Sequence, residues 1–196
     1  NSENKNNSFV MGLDHLSQSD DRKRFKNNFG SRGDVTLSQM ENFDSTGFYL
    51  VNQTRFNTGF LFRYGIRYDI NSIGIDSSNK INLDKINPSL GLSYTINSSD
   101  NLFFSFGTSF ETPTLNELSN NPDGSGFNKD LNSNNAVNYE IGWRKSLTNI
   151  AFEAVAYITN SDNEILPYEI EQFPGKSFYR NVGSTIRKGV ELSSTL

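Results

Sequence analysis

The chain has 196 residues, enough for one domain or for part of a larger one. A formal net charge of -4, a pI near 5.1 and the absence of cysteine argue against a nucleic-acid binder and exclude disulfides and thiolate metal sites. The mean hydropathy of -0.58 looks soluble, and no run approaches the roughly 18 apolar residues of a membrane helix, but a membrane-spanning strand turns only every second residue to lipid.

Strict alternation of apolar and polar residues predicts strands, because successive side chains point to opposite faces. The first runs from about Ser8 to Leu16, with Phe9, Met11 and Leu13 on one face. A polar connection from Ser17 to roughly Ser45 follows, carrying the charged run Asp20-Asp21-Arg22-Lys23-Arg24 and Lys26. The second strand, near Thr46 to Phe56, turns through Asn57-Thr58-Gly59 into the third, Phe60 to Ile70. There Phe60, Phe62, Tyr64, Ile66, Tyr68 and Ile70 share one face, and Leu61, Arg63, Gly65, Arg67 and Asp69 the other.

Asn71 to Ile86 is predicted as a longer loop, before a fourth strand from Asn87 to Ile96 and a sharp turn at Asn97-Ser98-Ser99-Asp100. The fifth strand, Asn101 to Glu111, leads into a long connection from Thr112 to Ala136. Val137 to Leu147 and Ile150 to Thr159 form the sixth and seventh strands around Thr148-Asn149. A loop from Asn160 to about Lys176 precedes the last strand, Tyr179 to Leu196.

Connections of alternating long and short length predict an all-β, antiparallel, up-and-down transmembrane β-barrel with short periplasmic turns and long extracellular loops. A closed barrel is the β structure that satisfies every backbone group in a bilayer. The apolar face is then the lipid face. The row Arg63, Arg67, Asp69, Glu111, Glu140, Arg144, Glu153 and Glu191 looks into a watery lumen. Tyr68, Phe110, Tyr139 and Tyr157 are expected in an interfacial aromatic girdle. A soluble eight-stranded barrel is the alternative architecture, with apolar side chains inward.

Five short motifs follow in order: Tyr64-Gly65-Ile66-Arg67-Tyr68-Asp69; Asn87-Pro88-Ser89-Leu90-Gly91-Leu92-Ser93-Tyr94; Phe110-Glu111-Thr112-Pro113-Thr114-Leu115-Asn116-Glu117-Leu118; Asn138-Tyr139-Glu140-Ile141-Gly142; and Tyr179-Arg180-Asn181-Val182-Gly183 with Lys188-Gly189-Val190-Glu191-Leu192. Over roughly the last two-thirds of the chain this series resembles the TonB-dependent outer-membrane receptors. Glu111 stands where that family usually has arginine.

The resemblance implies a barrel of about 22 strands with a plugged lumen, of which this chain supplies about eight. The chain opens at Asn1 without a basic and then apolar leader, as a processed chain or a piece of a longer one would. Eight strands without a plug fall short of the implied barrel, so an internal barrel fragment is expected. The resemblance also implies residence in a Gram-negative outer membrane. The implied partners are lipid and lipopolysaccharide, the TonB complex through the plug, and a small nutrient. An iron-siderophore complex is the default ligand, with cobalamin, copper or another small cofactor in competition. The motif positions it marks are Arg67, Asp69, Phe110, Pro113, Glu117, Leu118, Tyr139, Glu140, Gly142, Asn181, Gly183, Gly189 and Glu191. Loops around Ser119 to Asn135 and Asp162 to Ser177 are expected to touch ligand.

No catalytic constellation is visible: His15 is the single histidine, and no nucleophile elbow accompanies it. Neither enzyme activity nor a resident cofactor is expected. The charged run at Asp20 to Lys26 reads as a solvated loop, or as a contact for lipopolysaccharide phosphates. Asn121-Pro122-Asp123-Gly124-Ser125-Gly126 reads as turn chemistry rather than a calcium loop. The competing function is a self-contained eight-stranded outer-membrane barrel with a structural or adhesive task.

Overall fold

A computed structural model describes residues 6–75, 79–124 and 126–196. Asn1 to Lys5 and Ser125 of the predicted turn lie outside the described residues. The elements in chain order are β1 (Asn6–Asn28), β2 (Ser31–Arg55), β3 (Phe60–Ile75), β4 (Asn79–Thr95), β5 (Asp100–Glu111), α1 (Leu115–Ser119), β6 (Asn134–Ser146), β7 (Ala151–Asp162), β8 (Ile165–Tyr168), β9 (Phe178–Asn181) and β10 (Thr185–Thr195).

Eight strands hydrogen-bond as one antiparallel sheet in the order β1-β2-β3-β4-β5-β6-β7-β10, and β8 pairs only with β9. The sheet is open, with β1 and β10 as its edges, so these strands do not close into the self-contained barrel of the competing reading. Register makes the apolar face continuous across the sheet. Leu50 stands opposite Ile66, Phe62 opposite Leu92, Leu92 opposite Phe104, Phe104 opposite Ile141, Ile141 opposite Ala156 and Ala156 opposite Val190. None of these side chains is buried, and several are well exposed (Ile66 by 48%, Ile141 by 60%, Val190 by 70%), as a lipid-facing surface requires.

The eight charged residues predicted to look inward all share the opposite face by register. Charge is not fully confined to it. Lys145 and Asp100 pair at 3.1 Å on the outer face beside a short turn, where Trp143 Nε1 also donates to Asp100, and Lys188 lies on the outer face of the edge strand. Long side chains at such a rim keep their charges in water while their stems cover apolar surface. Of the expected girdle, Tyr68, Phe110 and Tyr139 lie on the outer face. Tyr157 does not: it pairs with Glu140 and Gly189 on the inner face.

Several boundaries differ from those read in the sequence. β1 and β2 are 23 and 25 residues long, against the about 9–11 that cross a bilayer, so Ser17 to Ser45 is a projecting hairpin rather than a loop. Its two-residue tip, Phe29-Gly30, has positive φ at both positions (50° and 91°), the geometry that joins twisted strands directly. β3 and β4, of 16 and 17 residues, likewise take up most of the predicted loop from Asn71 to Ile86. The final predicted strand is broken into β9 and β10. The connection from Thr112 to Ala136 contains α1.

The buried apolar core lies at the long-connection end of the inner face, not within the membrane-spanning wall. Ile73 and Ile75 of β3 meet Leu118 of α1 and Phe127 and Leu131 of the following loop, with Phe43, Ile81, Leu83, Leu115, Ile165 and Tyr179 packed around them. The lumen-facing stripe thus changes from polar to apolar as it leaves the bilayer, and the loop folds back onto it as a cap.

Candidate functional site

Pro113 through Leu118 initiates that cap. Thr114 is the N-cap of α1: its Oγ1 accepts from the Glu117 amide at 3.3 Å, and Glu117 Oε2 accepts from the Thr114 amide at 2.7 Å. This reciprocal capping box satisfies two helix-terminal donors and lets a five-residue helix persist. Pro113 and Leu118 are fully buried. Of the predicted motif residues, Glu117 completes the capping box of one turn of helix, with Pro113 buried just before it and Leu118 buried within it. The sequence signal was there, as Thr followed three residues later by Glu, but it reads equally as a strand leaving its sheet.

Side chains on the inner face of the projecting hairpin hold the cap down. Arg22 Nη1 lies 3.2 Å from Glu41 Oε2, and Arg22 Nη2 donates to Asn116 Oδ1 at 2.7 Å. Ser119 Oγ donates to Glu41 Oε1 at 2.5 Å and Gln39 Nε2 donates to the same oxygen at 2.6 Å. Glu41 is 2% exposed, and a carboxylate so buried needs these partners. Arg24 Nη2 donates to Asn120 Oδ1 at 2.7 Å. Partial burial, then the neighbouring charge of Arg22, hold the Arg24 guanidinium below its ordinary pKa, with Glu41 acting the other way. Alternation thus divides the charged run. Asp20, Arg22 and Arg24 face inward, whereas Asp21 and Lys23 face outward and pair with each other at 2.7 Å.

Between hairpin and cap lies a cleft of about 580 Å³, walled by Gln18, Asp20, Arg22 and Phe43 on one side and by Thr112 to Asn116 on the other. A second cleft of about 480 Å³ continues down the wall past Arg67, Asp69 and Glu111. Arg67 bridges two carboxylates there, Asp14 of β1 and Asp69 of its own strand, each at 2.7 Å. It reaches Asp14 across Gly47, where a Cβ would collide with its guanidinium. Lower on the wall, Arg144 pairs with Glu153 across β6 and β7, and Ser105 Oγ donates to Glu140 at 3.1 Å.

The remaining predicted positions are dispersed. Phe110 and Tyr139 are on the outer face, and the Tyr139 ring meets Phe106 at 5.3 Å. Gly142 lies beneath Phe103 and Gly189 beneath Tyr157. Glu191 is on the inner face of the edge strand. Asn181 staples three segments: its Oδ1 accepts from the Asn132 amide at 2.7 Å, and its Nδ2 donates to the carbonyls of Asn132 at 2.9 Å and Asn163 at 2.8 Å. Gly183 lies in the connection from β9 to β10. Of the two loops expected to touch ligand, the first supplies core residues Phe127 and Leu131, and the second carries β8, which pairs with β9 just beyond it. Missed in the sequence were Asp14, the partner of Arg67, and Gln39 and Glu41, which become significant only once the hairpin is recognised. His15 Nδ1 lies 3.0 Å from Thr46 Oγ1 on the outer face. Among the described residues no group of His, Cys, Asp or Glu is arranged to hold a metal ion.

A family model described as "TonB dependent receptor-like, beta-barrel" matches residues 2–196. The chain belongs to the TonB-dependent receptor β-barrel family. Across 107 residues it is 34% identical to the vitamin B12 transporter BtuB of Vibrio vulnificus, a stretch covering 54% of this chain and 16% of that protein. Its fold matches the copper transporter OprC with a TM-score of 0.76 at 14% identity, over 96% of this chain and 31% of that one. It matches the FrpB iron transporter of Neisseria meningitidis with a TM-score of 0.73 at 15% identity, over 99% and 30%. The chain therefore spans less than a third of the length of each of these proteins. TonB-dependent receptors are receptors and transporters of Gram-negative outer membranes, not enzymes. In the family's terms, the open sheet described above is a barrel segment.

Proposed function

We propose that this chain forms wall and mouth of a TonB-energised outer-membrane importer of a scarce small nutrient, completed by a plug and further strands. The observation that carries this reading is the family match over residues 2–196. The layout supports it: an exposed apolar outer face, a charged inner wall, and a capped cleft of about 580 Å³ where wall meets mouth. The plug would dock against the charged inner row, with TonB acting through it.

An iron-siderophore complex is the favoured ligand class, in keeping with the FrpB iron transporter among the structural relatives. Cobalamin is the second reading, favoured by the 34% identity to a vitamin B12 transporter. Glu111 lines the lower cleft together with Arg67 and Asp69, and as an acid it would favour a neutral or cationic plug residue at that level. The test is uptake of radiolabelled ferric siderophore and of radiolabelled cobalamin by cells with and without the full-length gene, before and after collapse of the proton-motive force. Energy-dependent uptake of one label is expected to need the gene. Unchanged uptake of both would sink the assignment of these two substrates.

A further inference from the structure

Above the main cleft, the projecting hairpin and the cap enclose a separate cavity of about 300 Å³. Two cationic side chains line it, Arg24 from β1 and Lys176 from the connection between β8 and β9. No carboxylate lines it among the described residues. The nearby buried acid, Glu41, is already occupied by Arg22, Gln39 and Ser119. Ser119 also lines the cavity, but its hydroxyl proton goes to Glu41.

Neither cation forms an ion pair among the described residues, although the charge of Glu41 acts on Arg24 from a distance. The acceptor bonded to Arg24 among the described residues is the neutral amide of Asn120, which leaves most of the guanidinium's five N–H groups for other work. The Lys176 ammonium lies 4.8 Å from the Phe178 ring centroid and 5.5 Å from that of Phe173, so aromatic faces hold it without removing its charge. Burial first, and then the charge of Arg24, lower the Lys176 pKa. The opposite wall is backbone at Gly124 and Gly126, with φ of 109° and 83° and nothing within 4 Å of where a Cβ would stand.

We propose that this cavity is an oxyanion site in which Arg24 and Lys176 together hold a carboxylate or phosphate group of a water-soluble ligand. Arginine supplies a planar fork that matches two oxygens, and lysine supplies a mobile point charge. The face decides between sources of such a group. Arg24 shares the inner face with Arg22 and Glu41, whereas the outer face carries Asp21 and Lys23, so the site opens toward the mouth and not toward lipid phosphates. The proposal rests on the importer reading for the origin of its ligand and narrows the ligand class to anions.

The test uses the full-length receptor in detergent, titrated calorimetrically with citrate and, separately, with inorganic phosphate. Saturable binding of at least one anion is expected, falling with added salt. R24Q and K176Q are each expected to weaken it about tenfold or more, as loss of a charged hydrogen bond does. K80Q, on the outer face of β4, serves as the control and is expected to bind as wild type. Retained heat-modifiable migration shows that each variant is folded. No binding of either anion to wild type, or equal binding by wild type and K176Q, overturns the site. Loss of co-purifying lipopolysaccharide in K176Q with unchanged anion binding assigns the cations to lipid and also overturns it. Anion binding without any gene-dependent nutrient uptake overturns the importer reading and leaves the site standing.

Discussion

The ring of Phe103 lies over Gly142, its directly paired neighbour on β6, so closely that a Cβ on Gly142 would overlap the ring. The Arg144 guanidinium sits 4.5 Å from the centroid of the same ring and pairs with Glu153. The order glycine, aromatic, arginine, carboxylate recurs at the other end of the sheet. There Gly12 lies beneath Tyr49, Arg67 stands 5.9 Å from the Tyr49 centroid, and Asp14 and Asp69 close the set. An inward glycine in a strand is otherwise a weak point, and an aromatic laid across it restores both packing and register.

Gly142→Ala is therefore expected to destabilise the barrel by about 1–3 kcal/mol through forced displacement of Phe103. Phe103→Ala removes the obstacle, so the double variant is expected to lose less than the sum of the single ones, with a coupling of about 0.5–3 kcal/mol. Urea titration of the full-length receptor in lipid vesicles measures both. Strict additivity would show that the ring does not depend on the glycine.

The capping box makes a narrower prediction. Thr114→Ala is expected to cost about 1 kcal/mol, all of it within the cap. Amide exchange should speed up in α1 and around Phe127 while β5 and β6 keep wild-type protection. A uniform loss across the sheet would mean that the cap and the wall unfold as one unit.

How far all this was legible in the sequence depends on whether two faces differ in polarity. From Phe60 to Ile70 one face is lipid-apolar and the other charged, and alternation placed every residue correctly. From Ser17 to Ser45 both faces of the hairpin are polar, so alternation carries no contrast and two strands read as a loop. Its turn was equally hidden, because Phe29 occupies a positive-φ position where Asn or Gly is the usual signal. The helix α1, at five residues, is too short to show a period. The cap core was illegible for a different reason. Ile73, Ile75 and Leu118 become a cluster only through pairings distant in sequence, and apolar residues in a presumed loop give no hint of what they meet.

Glu41 tests whether the cap is held by its polar clasp or only by its core. Glu41→Ala removes the acceptor shared by Arg22, Gln39 and Ser119, and leaves the Arg22 guanidinium without its carboxylate in a half-buried site. Breaking a buried pair costs about 3–5 kcal/mol, and the partial exposure of Arg22, 21% of its side chain, puts this case toward the lower end. Limited proteolysis of the whole receptor between Asn120 and Asp130 is expected to accelerate sharply in Glu41→Ala. Wild-type protease resistance would show that Ile73, Ile75, Leu118, Phe127 and Leu131 suffice without the clasp.

The assignment of lipid to one face and water to the other has its own test. Ile66 projects from the outer face between Leu50 and Pro88, and Arg63, three residues earlier on β3, projects inward and is exposed. Ile66→Arg places a charge in the apolar band, where the cost near the bilayer midplane is about 2–4 kcal/mol. Arg63→Ser exchanges one hydrated group for another and is expected to stay within about 0.5 kcal/mol of wild type. Outer-membrane assembly, read from heat-modifiable migration of the full-length receptor, should be impaired in the first variant and normal in the second. The reverse pattern would invert the two faces, and normal assembly of both would mean that water reaches each of them.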